Sequence, residues 1–369
     1  MRPWKLLESV YPALARFYSR QEKFIACANC FSDRGLRLDA ERIGQNSASP
    51  CPNCATLGHK QLSPSGLLSL THRFFVWGSL QKTRFGAAPL IQFNEHQPSS
   101  IDVKDWLKND VQLIERLLGV GFFYYGPRLW MVGEVEPLKA LGRKKDQQAI
   151  IARILSEYPS KVIGSTHSFY RIRVNPDKSG EPTQYDGPPP QYAGGGRLDC
   201  QGEPVLYGST DLEICVHECR VTAEDDLFVA TLAPTRDLRL LDLSVVLDED
   251  GVTEFDSLDM AVHMLFLAGK HAYKITRAIA NAVCLAGYDG IIYPSYFSLL
   301  RTGQMPFETV FGISHRRIPQ MREHEQSKSI PNLALFGRPI SAGKVEVKGI
   351  DRLIISKVSY EFHYGPTGD

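Results

Sequence analysis

Two Cys-x-x-Cys pairs near the N-terminus, CANC at Cys27 and Cys30 and CPNC at Cys51 and Cys54, restrict this chain more than any other feature. Two residues between thiols let each pair turn tightly with both sulfurs on one side, and the intervening chain is long enough to bring the two turns around one ion. Four thiolates fill a tetrahedron and leave no open position, so the spacing predicts a structural Zn²⁺. A redox dithiol does not need two matched pairs, and an iron–sulfur cluster uses four thiolates at other spacings. The polar stretch GQNSASP, Gly44 to Pro50, reads as a solvated loop between the pairs. Residues 1–60 are therefore expected to form a small zinc-ribbon-like module held by metal rather than by a core. Ribbons of this kind often bind nucleic acid or protein, so a macromolecular target is an expected partner.

The rest of the chain must supply its own core, and 369 residues allow two or three domains. Its 43% hydrophobic and 22% charged residues are ordinary for a soluble globular protein. A net charge of +1 offers no field for drawing the whole molecule to nucleic acid or an anionic membrane. The longest uncharged apolar run, around Ala261 to Ala268, falls far short of the roughly 20 residues that cross a bilayer. The opening MRPWKLLESVYPALARFYSRQEKF places Glu8 and several basic residues among its apolar ones, unlike a signal peptide, so the expected location is the cytoplasm. In that reducing compartment Cys200, Cys215, Cys219 and Cys284 are expected as free thiols.

Apolar residues at three- and four-residue steps predict a helix from Ser99 to Leu118, with Ser99 and Asp102 resembling a capping box. A second helix is expected over Asp146 to Glu157, ended by Pro159. Together these make residues 61–160 a mainly helical connector. Beyond it the runs FYRIRV, PVLYGS, LFVATLA, LRLLDLS and GIIYPS have strand composition, with helices at Asp211 to Arg220 and across Ser257 to Ala286. Residues 161–335 thus read as an α+β domain, and the strand-like pieces of 336–369 as completing or covering it.

Within that domain several polar residues take places that invite chemistry. Thr210 and Glu213 form a capping box, so a strand feeds a helix with Tyr207 and Ser209 at the junction. At about 100° per residue, Cys215 and Cys219 join the apolar face of that helix, His217 lies on a polar stripe and Glu218 projects at the apolar edge. A carboxylate there serves either an interfacial salt bridge or a reaction. Arg171 and Arg173 alternate onto one strand face, where they either bracket a carboxylate or grip a pyrophosphate. Gly194 to Arg197 is either a plain turn or a loop approaching phosphate, and it lacks the G-x-G-x-x-G spacing of a dinucleotide fold.

Their order and spacing resemble the RES domain family, named for an arginine, a glutamate and a serine. The matching pieces are Tyr170-Arg171, GGR-x-x-x-x-G at Gly195 to Gly202, LY-x-S with a later glutamate (Tyr207, Ser209, Glu218), and Pro294-Ser295. The region ahead is similar to the cysteine-containing N-terminal domain of some RES and HEPN toxins. The resemblance implies an ADP-ribosyltransferase-like fold, a split β-sandwich with helices. It also implies consumption of NAD⁺ at the nicotinamide–ribose bond by a glycohydrolase or phosphorylase, usually a bacterial toxin of a toxin–antitoxin or phage-defence system with an antitoxin encoded nearby. Some relatives are transferases that ADP-ribosylate a target. This chain departs from the family in carrying Leu198-Asp199 after the GGR arginine, where an aromatic residue and asparagine are commoner.

Under that resemblance Glu218, Arg171 and Ser295 are the expected catalytic residues, and Arg171, Arg197, Tyr207, Ser209 and Ser295 the expected NAD⁺-binding ones. Cleavage of an N-glycosidic bond passes through an oxocarbenium-like state, which a nearby carboxylate stabilises, so Glu218 takes that role. Arg171 and Arg197 offer guanidinium forks for the pyrophosphate, and Tyr207 an aromatic face. Ser295 either bonds the nicotinamide amide or orients Glu218. Two alternatives stand beside the NAD⁺-consuming enzyme: an ADP-ribosyltransferase whose target the zinc module recruits, and a zinc-ribbon binding protein whose RES-like half is inactive. Retention of the five polar residues Arg171, Arg197, Tyr207, Glu218 and Ser295 argues against the last.

Overall fold

The computed structural model describes residues 23–82, 87–124, 135–199, 204–304, 307–310, 313–358 and 362–367. The N-terminal segment read above, Cys200 and Gly202 lie outside them.

Strand β1 (Ala26–Cys27) pairs antiparallel with β2 (Gln61–Leu62), which closes the chain segment carrying both Cys pairs. Between them runs α1 (Arg34–Ile43), capped by Asp33, whose carboxylate accepts from Leu36 N at 2.9 Å. Helix α2 (Pro64–Thr71) starts from Ser63 with proline in its first turn. Two small hairpins follow, β3 (Leu80–Lys82) with β4 (Ala87–Pro89), and β5 (Ile91–Asn94) with β6 (Gly121–Tyr124), the second enclosing α3 (Asp105–Leu118). Phe31, Leu36, Leu62, Leu70, Phe75, Ile114 and Phe122 share one apolar cluster, so the Cys-bearing segment is backed by a core. That cluster crosses residue 60.

Helix α3 begins six residues later than the pattern predicts. Ser99 does not cap it: its Oγ accepts from Phe122 N at 2.7 Å, and Tyr124 donates to the Asp102 carbonyl at 2.6 Å. Ser99, Ser100 and Asp102 are tied to β6 by hydrogen bonds instead. At the far end Gly119 takes the left-handed conformation (φ 69°) that closes the helix.

The C-terminal half opens with α4 (Glu136–Leu141) and α5 (Lys144–Glu157) and is built on one eight-stranded sheet. Its strands are β7 (Ser160–Ile163), β8 (Phe169–Val174), β9 (Val205–Ser209), β10 (Leu227–Pro234), β11 (Leu238–Asp242), β12 (Gly290–Pro294), β15 (Pro331–Phe336) and β16 (Val345–Leu353). The spatial order is β16-β10-β8-β9-β15-β12-β11-β7. Neighbours are antiparallel except β11 and β12. A two-strand hairpin, β13 (Thr309–Val310) with β14 (Ile313–Ser314), lies outside this sheet. The remaining helices are α6 (Leu212–Cys219), α7 (Leu258–Phe266), α8 (Tyr273–Leu285), α9 (Ser298–Thr302) and α10 (Arg322–Ser327). The molecule is α+β, as the sequence pattern implies.

The sheet nearly splits between β8 and β9, which pair only at Tyr170 and Ser209. A Cβ on Gly208 would sit 2.8 Å from the Tyr170 carbonyl, so only glycine lets the strands cross this closely. Helix α6 leaves β9 at that crossing and packs Cys215 against Ile172 and Val229. Leu212–Cys219 is capped by Asp211, not Thr210: the Asp211 carboxylate accepts from Ile214 N at 3.0 Å, while Glu213 is drawn off to Arg301 at 2.9 Å.

The helical stretch from Ser257 to Ala286 is two helices, broken around Gly269. The last described residues return to the N-terminal half. Tyr364 N donates to Asp39 Oδ2 at 2.8 Å, and Arg42 donates to the Phe362 carbonyl at 2.7 Å while stacking on its ring. Strand β16 thus completes the large sheet, and residues after it reach back to α1.

Candidate active site and cysteine centre

Glu218 stands near the end of α6, on the side facing the last residues of β12. Its Oε1 accepts two hydrogen bonds, from Ser295 Oγ at 2.8 Å and from Asn332 Nδ2 at 2.7 Å. Among the described residues Oε2 has no partner, and the side chain opens to solvent. Ser295 is itself fixed: its N–H donates to the Ile330 carbonyl at 2.9 Å, and its Oγ accepts from Phe297 N at 3.1 Å. The group its hydroxyl meets is the Glu218 carboxylate itself, and among the described residues no histidine or lysine is bonded to it, so we read the hydroxyl as orienting that carboxylate.

Tyr293 and Asn332 are paired residues of β12 and β15, and they share a sheet face with Tyr207 and Ser209 of β9. Burial, and next the Glu218 charge, hold the Tyr293 phenol well above the ordinary tyrosine range; the Arg197 charge and a hydrogen bond from Asn332 oppose this. One phenol thus feels the glutamate, the asparagine and the arginine together. Phe266 stacks on Tyr293 with centroids 5.4 Å apart. A cavity of about 30 Å³ behind Ser295, bordered by Phe266, Phe307 and Lys328, has room for little more than water, so a larger molecule could reach Glu218 only from its open side.

The glycine-rich loop is built to present Arg197. Asp199 Oδ2 accepts from Gly194 N at 2.7 Å and Gly196 N at 2.8 Å, and its Oδ1 accepts from the Tyr207 hydroxyl at 2.9 Å. Leu198 N donates back to that hydroxyl at 2.8 Å. A Cβ on Gly196 would lie 2.4 Å from both Asp199 Oδ1 and Tyr207 Oη, which explains the glycine. The Leu198-Asp199 pair that departs from the family pattern is therefore the lock between loop and β9. Burial leads the causes that keep the Tyr207 phenol protonated. Arg197 itself donates to the Ala268 carbonyl at 2.8 Å and lies over the Tyr273 ring at 4.9 Å. The helix break at Gly269 supplies that carbonyl, so the arginine caps the end of α7.

Two further expected binding residues are, like Arg197, committed to main-chain groups within the fold. Arg171 is 8% exposed, and its fork is taken up by main chain, donating to the Tyr207 carbonyl at 2.7 Å and the Asp186 carbonyl at 3.0 Å. Alternation puts it on the sheet face opposite Tyr170, whose cross-strand partner is Ser209. It staples the diverging strands rather than opening toward Glu218. Ser209 spends its hydroxyl on the Pro331 carbonyl at 3.1 Å and on Asp211 N at 3.3 Å. The structure thus gathers Glu218, Ser295, Arg197 and Tyr207 around β9 and β12, and adds Asn332, Tyr293 and Asp199. A polar residue opening the apolar run NLALF was the available signal for Asn332. His217, placed on the polar stripe, stacks on Phe297 at 5.6 Å.

At the other end of the molecule the Sγ atoms of Cys27, Cys30, Cys51 and Cys54 all lie within 4.8 Å of one another. Cys27 to Cys30, Cys27 to Cys54 and Cys30 to Cys51 are 3.8, 3.5 and 3.6 Å. Tetrahedral Zn–S bonds of about 2.3 Å imply S···S separations of about 3.8 Å, so this donor set fits one metal ion. Cys30 Sγ also accepts from Cys27 N at 3.4 Å and from Asn53 Nδ2 at 3.3 Å, the outer support expected of a thiolate ligand. The other described cysteines are free thiols. A second group, Glu308, His315, His324 and Glu325, also converges, but the Lys328 ammonium stands between its carboxylates at 2.6 and 2.5 Å, where a cation would sit.

Residues 168–306 match the family model described as the RES domain, so this stretch is a RES domain carrying Arg171, Arg197, Tyr207, Glu218 and Ser295. Among solved structures, the crystal structure of the M. tuberculosis MbcT–MbcA toxin–antitoxin complex is similar at 14% identity and a TM-score of 0.32, covering 55% of this chain and 91% of that one. No curated protein matches the chain. No described helix is long and apolar enough to cross a membrane.

Proposed function

We propose that this chain is an NAD⁺-consuming enzyme that breaks the nicotinamide–ribose bond. The observation that carries the reading is Glu218, with one oxygen anchored by Ser295 and Asn332 and the other open to solvent, within a RES domain. Such an oxygen suits the positive charge that builds on the ribose as nicotinamide departs. The family resemblance assigns Arg197 to the phosphates and Tyr207 to the aromatic base, and both border Tyr293, which also feels the Glu218 charge. The acceptor is water or phosphate, and the Cys27, Cys30, Cys51 and Cys54 centre holds structural Zn²⁺. The family resemblance favours a cytoplasmic bacterial toxin restrained by a protein antitoxin. Incubating the purified chain with NAD⁺, with and without phosphate, tests the reading by mass spectrometry. Free nicotinamide with ADP-ribose, or with its phosphorylated counterpart, is expected; NAD⁺ recovered intact would overturn it.

A further inference from the structure

Asn332 lies on β15, beyond the residues that match the RES family model, and none of the motif pieces that carry the family resemblance contains it. It is 2% exposed, yet it sits at the edge of the site with its amide nitrogen on Glu218 Oε1 at 2.7 Å. A carboxylate oxygen only accepts, so the amide must present its NH₂ to Glu218 and its Oδ1 away. That Oδ1 is buried and finds no hydrogen-bond partner among the described residues. A buried acceptor left without a donor costs stability, and such a cost persists where the group has work that the folded protein alone does not show.

We propose that Asn332 is the positioning residue of the site, holding Glu218 so that Oε2 alone faces the ribose. This rests on the reading of Glu218 as the residue that meets the substrate. Ser295 and Asn332 approach the same oxygen from β12 and β15, neighbouring strands of the sheet. Two donors on one oxygen fix both the rotamer of the side chain and the rotation of its carboxylate. They also draw negative charge toward Oε1 without neutralising it, because neither donor is a cation. Ser295 alone fixes a single point and leaves the carboxylate free to pivot about it. Asn332 removes that freedom from a rigid strand.

Asn332→Asp separates this role from a packing role, because the two side chains have the same shape. While the introduced carboxyl group and Glu218 hold one proton between them, that proton can sit on residue 332 and be donated to Glu218, as the amide is. Once both are ionised the donor is gone and two negative charges face each other. Such a pair has one strongly raised ionisation. NAD⁺ turnover by Asn332→Asp should therefore gain an alkaline limb that the native enzyme lacks. Asn332→Ala, which removes the donor, should lower kcat on the order of 10- to 100-fold with much less change in KM. Both variants are measured beside Glu218→Gln, with thermal melts to establish folding. If Glu218→Gln is inactive while both Asn332 variants keep the native kcat and pH profile, the positioning role is overturned. If Glu218→Gln is fully active, the reading of Glu218 itself fails, and the role of Asn332 with it.

Discussion

Glu218 forms no ion pair among the described residues, so its two neutral donors hold an uncompensated charge at the mouth of the site. Glu218→Gln keeps the shape and removes the charge, and turnover of NAD⁺ should fall by at least roughly 100-fold with the melting temperature close to native. Near-native turnover would take Glu218 out of the reaction. Arg171 is governed by a different demand. Its fork serves two main-chain carbonyls 36 and 15 residues away in sequence, where β8 and β9 diverge. Burial pulls its basicity down to about 10, so it remains charged under ordinary conditions. Arg171→Lys keeps a charge but reaches one carbonyl at most, which should cost about 1–3 kcal/mol of stability. A lysine variant that melts like the native protein but binds NAD⁺ weakly by calorimetry would return the fork to the pyrophosphate. Spacing alone could not distinguish these uses, because a strand pattern says which residues share a face and not which face meets the ligand.

Elements were more legible than their ends. The runs FYRIRV, LFVATLA, LRLLDLS and GIIYPS are strands β8, β10, β11 and β12, because period and β-branched content are local properties. Caps are decided among adjacent polar residues by tertiary partners: Thr210 lost to Asp211 once Arg301 claimed Glu213, and Ser99 was taken by β6. Strand β15, which brings Asn332 to Glu218, opens on Pro331, a residue that argues against a strand, so it carried a weak signal. The Cys centre is local in the same sense and was read from spacing alone. What spacing could not show is its backing, since Ala28, Phe31, Leu36 and Leu62 pack with Leu70, Phe75 and Phe122 far along the chain. Replacing Cys51 and Cys54 with Ser should therefore abolish zinc, measured by elemental analysis, and loosen β1, β2 and the turns around them. The amides of α3 and β6 should stay protected in hydrogen exchange, and NAD⁺ cleavage should survive at least in part. Native protein purified without zinc would remove the metal assignment. Collapse of protection throughout Leu67 to Phe122 would mean that the metal, not the core, holds this half.

The two halves are joined over a seam that no local pattern reveals. Gln92 Nε2 donates to the Phe307 carbonyl at 3.1 Å, and the last described residues fold back onto α1. His72, from the N-terminal half, is buried on this seam with both ring nitrogens unpartnered among the described residues, in T-shaped contact with Phe93. From the other half it faces Glu308, Lys328 and His315, and Arg73 lies beside it in its own segment. Burial pushes its titration down to about 4, with the nearby cations acting in the same direction and Glu308 opposing. His263, partly buried beside Phe307, is pushed down by desolvation as well. The sign for stability follows directly. Between the ordinary histidine value near 6.5 and about 4 the unfolded chain binds a proton at residue 72 that the folded chain refuses. The stability from keeping His72 neutral is therefore fully present above pH 6.5 and is lost as pH falls toward 4. It amounts to about 3 kcal/mol for this residue. His72→Phe removes the titration while keeping a ring against Phe93, and it strands no described hydrogen-bond partner of the imidazole. The native melting temperature should drop between pH 7.5 and 5, and the variant should lose visibly less over the same interval. Equal losses in the two proteins would show that protonation at this seam does not set the acid limit of the fold.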